Sequence, residues 1–261
     1  MKLIVCDMSG VASTRGVNNV ELLETLNSLE NFVCTFCTGK GYQGGFQTLK
    51  DVDLKVPFLC ENGSVIVEKN GKVVFSAKMD PNKARDLILS LNKMNFEFLA
   101  YVDLETHQYK FLKGNKPLSE DLNQPWFYGM EIYSDVNEFL KNINLNNVCR
   151  IATRGLELID SEKLEKDFHI VVSENEFHSI CSKSVNKGFG VKKLAEICNV
   201  KLQDVVVIGN DLNDVDMFNT DCGYKIATGE KLPPEELMEY ADVYVPLKNL
   251  PKFLKNIDKF I

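Results

Sequence analysis

The chain has 261 residues, 44% of them hydrophobic and 26% charged, with a formal net charge of −7. This is an ordinary globular composition, long enough for one large core or two smaller ones. The acidic balance and the lack of a Lys/Arg run argue against a phosphate-backbone footprint, no apolar run nears the roughly 20 residues that cross a bilayer, and "LIVC" (3–6) is too short for a signal-peptide core; the expectation is a cytoplasmic protein with no nucleic-acid or membrane partner.

In chain order, "LIVCD" (3–7) predicts a buried strand and "NNVELLETLNSLEN" (18–31) an amphipathic helix with Leu22, Leu23, Leu26 and Leu29 on one side. "FVCTFCT" (32–38) is a second strand, "GYQGGFQTLKD" (41–51) a Gly-rich turn into a short helix, and "PFLCENG" (57–63) a third strand. This order predicts a parallel sheet with helices on both faces. "SVIVEKNGKVVFS" (64–76) reads as a hairpin with a type I′ turn at Asn70-Gly71.

Between about 80 and 180 the texture changes. A helix, "DPNKARDLILSLNKM" (80–94), leads into strand-like "FEFLAYVD", "QYKFL", "FYGMEIY", "VCRIATRG" and "FHSICS", with a helix near "VNEFLKNI" (136–143). The expectation is an α+β insertion with its own antiparallel sheet. From Lys187 the alternation returns: helix "NKGFGVKKLAEICNV", strand "DVVVIGND", short helix "LNDVDMFNT", strand "CGYKIAT", then "PPEELMEYA", "DVYVP" and "LPKFLKNIDKF". Cys6, Cys34, Cys60, Cys181, Cys198 and Cys222 lie in or beside apolar segments, where thiols act as small buried hydrophobes. Cys34 and Cys37 form a CxxC, but three residues apart on a strand they face opposite ways, and no second CxxC completes a zinc site. His107, His169 and His178 show no ligand-like spacing.

In open α/β sheets ligands bind at the carboxyl ends of strands. The residues leaving those ends are Asp7, then Thr38, Gly39 and Lys40, then Asn210, Asp211 and Asp214. Together "VCDMSG", "TFCTGK", "CENGSVI", "VNKGFGVKKLAE" and "VVVIGNDLNDVDMF", in this order, resemble the haloacid dehalogenase superfamily of phosphohydrolases, in particular its Cof-like, type IIB branch. The resemblance implies a Rossmannoid α/β core of parallel strands over residues 1–79 and 184–261. Residues 80–183 would be an α+β cap that supplies substrate specificity, with Lys110, Lys113, Trp126, Arg150, Arg154 and Lys183 as candidates. For Trp126 two readings stand, packing in the cap core and stacking on a sugar.

The resemblance further implies a Mg²⁺-dependent phosphatase acting on a small phosphorylated metabolite such as a sugar phosphate. Asp7 would attack phosphorus and form an aspartyl-phosphate. Thr38, Gly39 and the backbone that follows would hold phosphate oxygens, and Lys187 would neutralise both phosphate and Asp7. Mg²⁺ would take Asp7, the Ser9 carbonyl and the loop Asn210, Asp211, Asp214, with Asn213 of the same loop toward the substrate. Lys40 reads either as a phosphate ligand or as a solvated cation, and Asn62 either as a turn residue or as part of the cleft.

Two positions depart from the family pattern. Ser9 stands where a second Asp would act as general acid and base, a role worth about 10²–10⁴-fold; its backbone carbonyl is retained. Asn210 stands where the family has a metal-ligating Asp, offering an oxygen without the charge. Three readings follow: a slow phosphatase, a protein that binds a phosphorylated ligand or regulates a partner without hydrolysis, and a phosphotransfer variant.

Overall fold

In the computed structural model the described residues are 2–118, 130–156, 164–173 and 177–261. Leu3 to Cys6 are apolar without alternation, the pattern of a strand covered on both faces, and in β1 (Lys2–Asp7) all four are fully buried. A hairpin that the sequence reading passed over follows, β2 (Ser13–Thr14) and β3 (Val17–Asn18). Its turn runs through Arg15 and Gly16, both at positive φ, as a type I′ turn requires. α1 (Val20–Asn27) is capped by Asn19, whose side chain accepts from the Leu22 N–H. Then come β4 (Phe32–Cys37), α2 (Tyr42–Leu49), β5 (Phe58–Cys60), β6 (Val65–Val67) and β7 (Val73–Ser76).

The turn between β6 and β7 differs from the expected type I′. Of its two residues only Gly71 takes positive φ, +91°. The Gly71 N–H bonds to the Glu68 carbonyl and the Glu68 N–H to the Lys72 carbonyl, both at 2.9 Å. This is a three-residue loop, a type I turn followed by one left-handed residue. The Asn70 side chain accepts from the Lys72 N–H at 2.9 Å and so holds the loop from within.

The middle of the chain holds α3 (Pro81–Leu91), β8 (Phe98–Val102), β9 (Tyr109–Lys113), β10 (Glu131–Tyr133), α4 (Val136–Asn142), β11 (Arg150–Arg154), β12 (Phe168–Ser173) and β13 (Phe177–Ser182). The last part holds α5 (Lys187–Ile197), β14 (Val205–Gly209), α6 (Val215–Phe218), β15 (Tyr224–Gly229), α7 (Glu235–Met238), β16 (Val243–Pro246) and α8 (Leu250–Leu254). The chain divides into two compact units, one of residues Met1–Phe75 with Asn186–Ile261, the other Ser76–Val185.

The first unit is built on a sheet in the order β16-β15-β14-β1-β4-β5-β6-β7, parallel from β16 to β5 and antiparallel from β5 to β6. Leu3 and Val5 join Val205 and Val207 in a core that also takes Val191 and Leu194 of α5. Ile4, Cys6, Val206 and Ile208 point the other way and are equally buried. Successive strands run outward from β1 on one side and from β14 on the other, so the switch point of the sheet lies between them.

The second unit carries a sheet in the order β10-β9-β8-β11-β13-β12. One face, with Leu99 and Tyr101, packs on Leu87, Ile88 and Leu91 of α3 and Phe139 of α4. The expected antiparallel sheet needs one correction, because β10 pairs parallel to β9. The stretch 114–130 between them is long enough for the crossover of about a dozen residues that a parallel pair needs. β12, "FHIVVS", was also absent from the sequence reading. At one end of this sheet the Arg154 guanidinium grips Glu97 through two bonds, 2.6 and 2.7 Å, both side chains buried. The rings of Phe98 and Phe177 lie 5.6 and 5.1 Å from the guanidinium carbon. Glu97→Ala would take this carboxylate away from the buried Arg154 guanidinium and is expected to cost about 3–5 kcal/mol, read as a lower urea midpoint for this unit. An unchanged midpoint would mean that the pair is not desolvated in solution.

Candidate active site

Three strand ends meet at the switch point. Asp7 ends β1 and lies opposite Cys37, the last residue of β4, while Cys6 lies opposite Ile208 of β14. Parallel register therefore brings Asp7, Thr38 and Asn210, each at the end of its strand or one residue beyond, to one edge of the sheet. The sequence alone places them only at ends of separate strands.

Lys187 stands at the centre. It is 1% exposed, and its ammonium donates to Asp7 Oδ1 at 2.5 Å and to Asp214 Oδ1 at 2.6 Å. Asp7 is 3% exposed and Asp214 0%. Burial alone would pull the Lys187 pKa down, but the two carboxylates outweigh it and hold the ammonium charged above its ordinary range. For Asp7 the balance goes the other way. Burial, reinforced by the negative charge of Asp214, pushes its pKa up to about 7, and the Lys187 ammonium only partly offsets them. One cation is shared between two anions, and Asp7 carries the deficit.

Asp214 is held by more than the lysine. Its Oδ2 accepts the N–H groups of Asn210 (2.8 Å) and Asp211 (3.2 Å), so the carboxylate folds back over the start of its own loop. A side chain at Gly209 would place its Cβ 2.7 Å from the Asp214 Cβ, which is why glycine stands there. Asp211 turns its carboxylate to the Leu212 N–H at 2.8 Å and caps the 3₁₀ turn Leu212–Asp214. Asn213 is half-buried in that turn.

Ser9 is exposed, and the chain beyond it turns back, with the Ser13 N–H on the Met8 carbonyl at 2.7 Å. The Asn210 amide lies against this turn: a Cβ on Gly10 would sit 2.4 Å from Asn210 Nδ2. Asn210 Oδ1 is buried with no hydrogen-bond partner. Among the described residues no group of three or more His, Cys, Asp or Glu side chains is placed to hold a metal. What is present suits a hard cation by type, since Asp7, the Ser9 carbonyl and the orphaned Asn210 oxygen are all oxygen donors. It supplies less charge than a cluster of carboxylates, because Asp211 is spent as a cap and Asp214 holds lysine and backbone.

On the other side of β1, Thr38 is 1% exposed and its hydroxyl accepts from the Lys40 N–H at 3.1 Å, leaving its own proton to donate. Burial lowers the Lys40 pKa, opposed by the charge of Asp7. The strand expected over "PFLCENG" stops at Cys60, and Glu61, Asn62 and Gly63 follow at φ of +54°, +54° and +85°. Three left-handed residues in a row are uncommon and costly except at glycine. The turn is laced to the Thr38 loop, with the Asn62 N–H on the Thr38 carbonyl at 3.0 Å and the Glu61 N–H on the Lys40 carbonyl at 2.9 Å. The Asn62 side chain is 5% exposed and faces Gly39; its Oδ1 has no partner.

The candidates in the second unit are mostly engaged within it. Arg154 is paired with Glu97, Arg150 donates to the Ser179 hydroxyl at 3.0 Å, and Lys110 donates to the Asn142 carbonyl at 2.7 Å. Lys113 is exposed, Lys183 donates to the Glu165 carbonyl, and Trp126 lies outside the described residues. Two residues that the sequence reading passed over stand beside Lys187. Asn186 caps α5 by accepting from the Phe189 N–H at 2.8 Å and donates to Asp216 Oδ1 at 3.0 Å. An Asn immediately before a periodic helix is a readable cap signal; nothing local marks Asp216.

Comparison with known proteins follows this geometry. The family model of haloacid dehalogenase-like hydrolases matches residues 12–249, beginning past Asp7 and Ser9. Phosphatase YwpJ of Bacillus subtilis is 21% identical over 277 residues, covering 93% of each chain. A Mycoplasma capricolum protein is 24% identical over 167 residues, and the match spans 62% of its length. The sugar phosphatase BT4131, of HAD subclass IIB, superposes with a TM-score of 0.76 at 15% identity over 100% of this chain and 99% of that one, a likeness of fold. No helix among the described residues is long and apolar enough to cross a membrane.

The raised Asp7 pKa makes stability depend on pH with a definite sign. The folded state keeps a proton on Asp7 up to about 7, whereas the unfolded chain loses it near 3.8. Stability from this group is therefore full below 3.8 and is lost as pH rises through 7. In metal-free protein, Asp7→Asn is expected to raise Tm at pH 8 by roughly 3 °C or more, with the gain shrinking toward pH 5. A gain that is equal at both pH values would refute the charge deficit.

Proposed function

The chain belongs to the haloacid dehalogenase-like hydrolase family, and on that premise we propose that it is a phosphatase acting on a small phosphorylated metabolite such as a sugar phosphate. The observation that carries the reading is the buried Lys187 ammonium bridging Asp7 and Asp214 at the carboxyl end of the parallel sheet. A carboxylate at that point can attack phosphorus in line. The ester oxygen leaves with the bonding pair, and the phosphoryl group is carried on Asp7 until water releases it. Lys187 offsets charge on Asp7 before attack and on the phosphoryl oxygens during it. Thr38 donates its hydroxyl proton to one of those oxygens. Bound Mg²⁺, held by Asp7, the Ser9 carbonyl and Asn210 Oδ1, would add positive charge beside the phosphate. Selection among substrates is assigned to the inserted unit.

Ser9 cannot exchange a proton near neutral pH, so the leaving oxygen must take its proton from water or from the substrate. Good leaving groups are favoured by this. Ser9 and Asn210 also favour a second reading, a protein that retains phosphate without turning it over. Steady-state assays decide between them, using a panel of sugar and aryl phosphates with Mg²⁺ and Asp7→Asn as the blank. Ser9→Asp is expected to raise kcat by about 10²-fold, most for poor leaving groups. Asn210→Asp is expected to tighten Mg²⁺, measured by titration calorimetry. Turnover absent from the parent and from the Ser9→Asp, Asn210→Asp double variant would eliminate the phosphatase and leave phosphate binding.

A further inference from the structure

A lysine ammonium can bridge two carboxylates only if its backbone is fixed, because four rotatable bonds otherwise spread it over many positions. Lys187 is the first residue of α5. At that position the helix supplies no hydrogen-bond partner for its N–H, and helix ends fray. Something outside the helix must hold it.

The residue before it is held from several sides. Asn186 Oδ1 accepts from the Phe189 N–H at 2.8 Å, which fastens the first turn. Ser, Thr or Asp at this position could do the same. Asp carries no donor, and Ser and Thr have a single hydroxyl oxygen for both tasks; Asn adds a separate donor arm, and Asn186 Nδ2 donates to Asp216 Oδ1 at 3.0 Å. Its carbonyl meets the left-handed turn, where a side chain on Gly63 would place Cβ 2.5 Å from the Asn186 oxygen. The main chains of α5 and of the segment after Asp214 also abut, since a Cβ on Gly188 would lie 2.1 Å from the Asp216 carbonyl oxygen.

We propose that Asn186 and Asp216 form a clamp that positions Lys187 between Asp7 and Asp214. The clamp itself stands on geometry, and only its catalytic consequence rests on the phosphatase reading. Asp216 follows Asp214 by two residues, and Asn186 precedes Lys187 by one. Two contacts, Lys187 to Asp214 and Asn186 to Asp216, thus close a small ring between the start of α5 and the Leu212–Phe218 segment. Opening the second contact frees α5 to shift along its axis, and the ammonium moves with it. Neither residue is placed to touch the reacting atoms, so both are positioning residues.

The test has an arm that needs no catalysis. Native protein is treated briefly with acetic anhydride and the acetylation of each lysine is followed by mass spectrometry. Lys187 is expected to react slowest in the parent and about tenfold faster in Asp216→Ala and in Asn186→Ser, the scale of one lost charge-assisted hydrogen bond. Asn186→Ser keeps the helix cap and removes the Nδ2 arm that reaches Asp216. Asp216→Asn keeps an acceptor for Asn186 and is expected to protect Lys187 like the parent, with exposed Lys83 as internal reference. In the second arm, turnover of an aryl phosphate, kcat is expected to fall about tenfold in Asp216→Ala with KM within about twofold, and to recover in Asp216→Asn. Lys187 acetylated at the parent rate in Asp216→Ala and Asn186→Ser would overturn the clamp, as would equal acceleration in Asp216→Asn. Absence of turnover in the parent would remove the phosphatase reading while the acetylation arm still decides the clamp.

Discussion

A buried ammonium shared by two buried carboxylates sets the terms for the rest of the first unit. Desolvating three charges is expensive, and the cost is recovered only with close contacts and with hydrogen bonds for the remaining lone pairs. Lys187 reaches Asp7 at 2.5 Å and Asp214 at 2.6 Å, and two backbone N–H groups occupy the other Asp214 oxygen. These distances require β1, the loop after β14 and the start of α5 to arrive at one point. Parallel register delivers the first two. The third depends on backbone approaching backbone at Gly63, a place where a side chain would have no room.

One cation against two anions leaves the cluster short of positive charge, and the shortfall falls on Asp7. A phosphoryl group needs positive charge around it, and so does a carboxylate that must stay ionised to attack. The same deficit is therefore a cost to the folded protein and an attraction for a cation beside Asp7, where Asn210 leaves an oxygen without a donor. With Asp rather than Asn at 210 the attraction would be stronger and the cost in the cation-free protein greater.

Much of this was legible in the sequence where apolar runs and special residues coincide. "LIVCD" gave β1 and its terminal carboxylate, and the return of strand–helix alternation after Lys187 gave the second half of the sheet. What stayed hidden depends on dihedral angles or on partners distant in the chain. "ENG" continues an apolar strand in sequence, yet its three residues are left-handed. "KNG" satisfies the two-residue turn rule, yet the loop closes over three. Arg154 looks like a substrate ligand until Glu97, 57 residues away, is seen to occupy it. Asp216 sits among other acidic residues and gains meaning only from Asn186, 30 residues earlier.

Burial also explains which positions tolerate departure from the pattern that the chain resembles. Asp7, Thr38, Lys187 and Asp214 match that pattern and are each at most 3% exposed. Exchanging Lys187 or Asp214 for an uncharged residue takes a counter-ion away from a desolvated charge, so the fold itself resists those two changes, whereas Asp7 carries the charge deficit and its ionised form costs stability. Ser9 is exposed and Asn210 half-buried. A carboxylate at position 9 would be solvated, so a serine there instead costs little stability. At Asn210 an amide occupies nearly the same volume as a carboxylate, and the backbone N–H that reaches Asp214 is unaffected. Exposed groups can therefore differ from that pattern without disturbing the buried contact between Lys187 and Asp214.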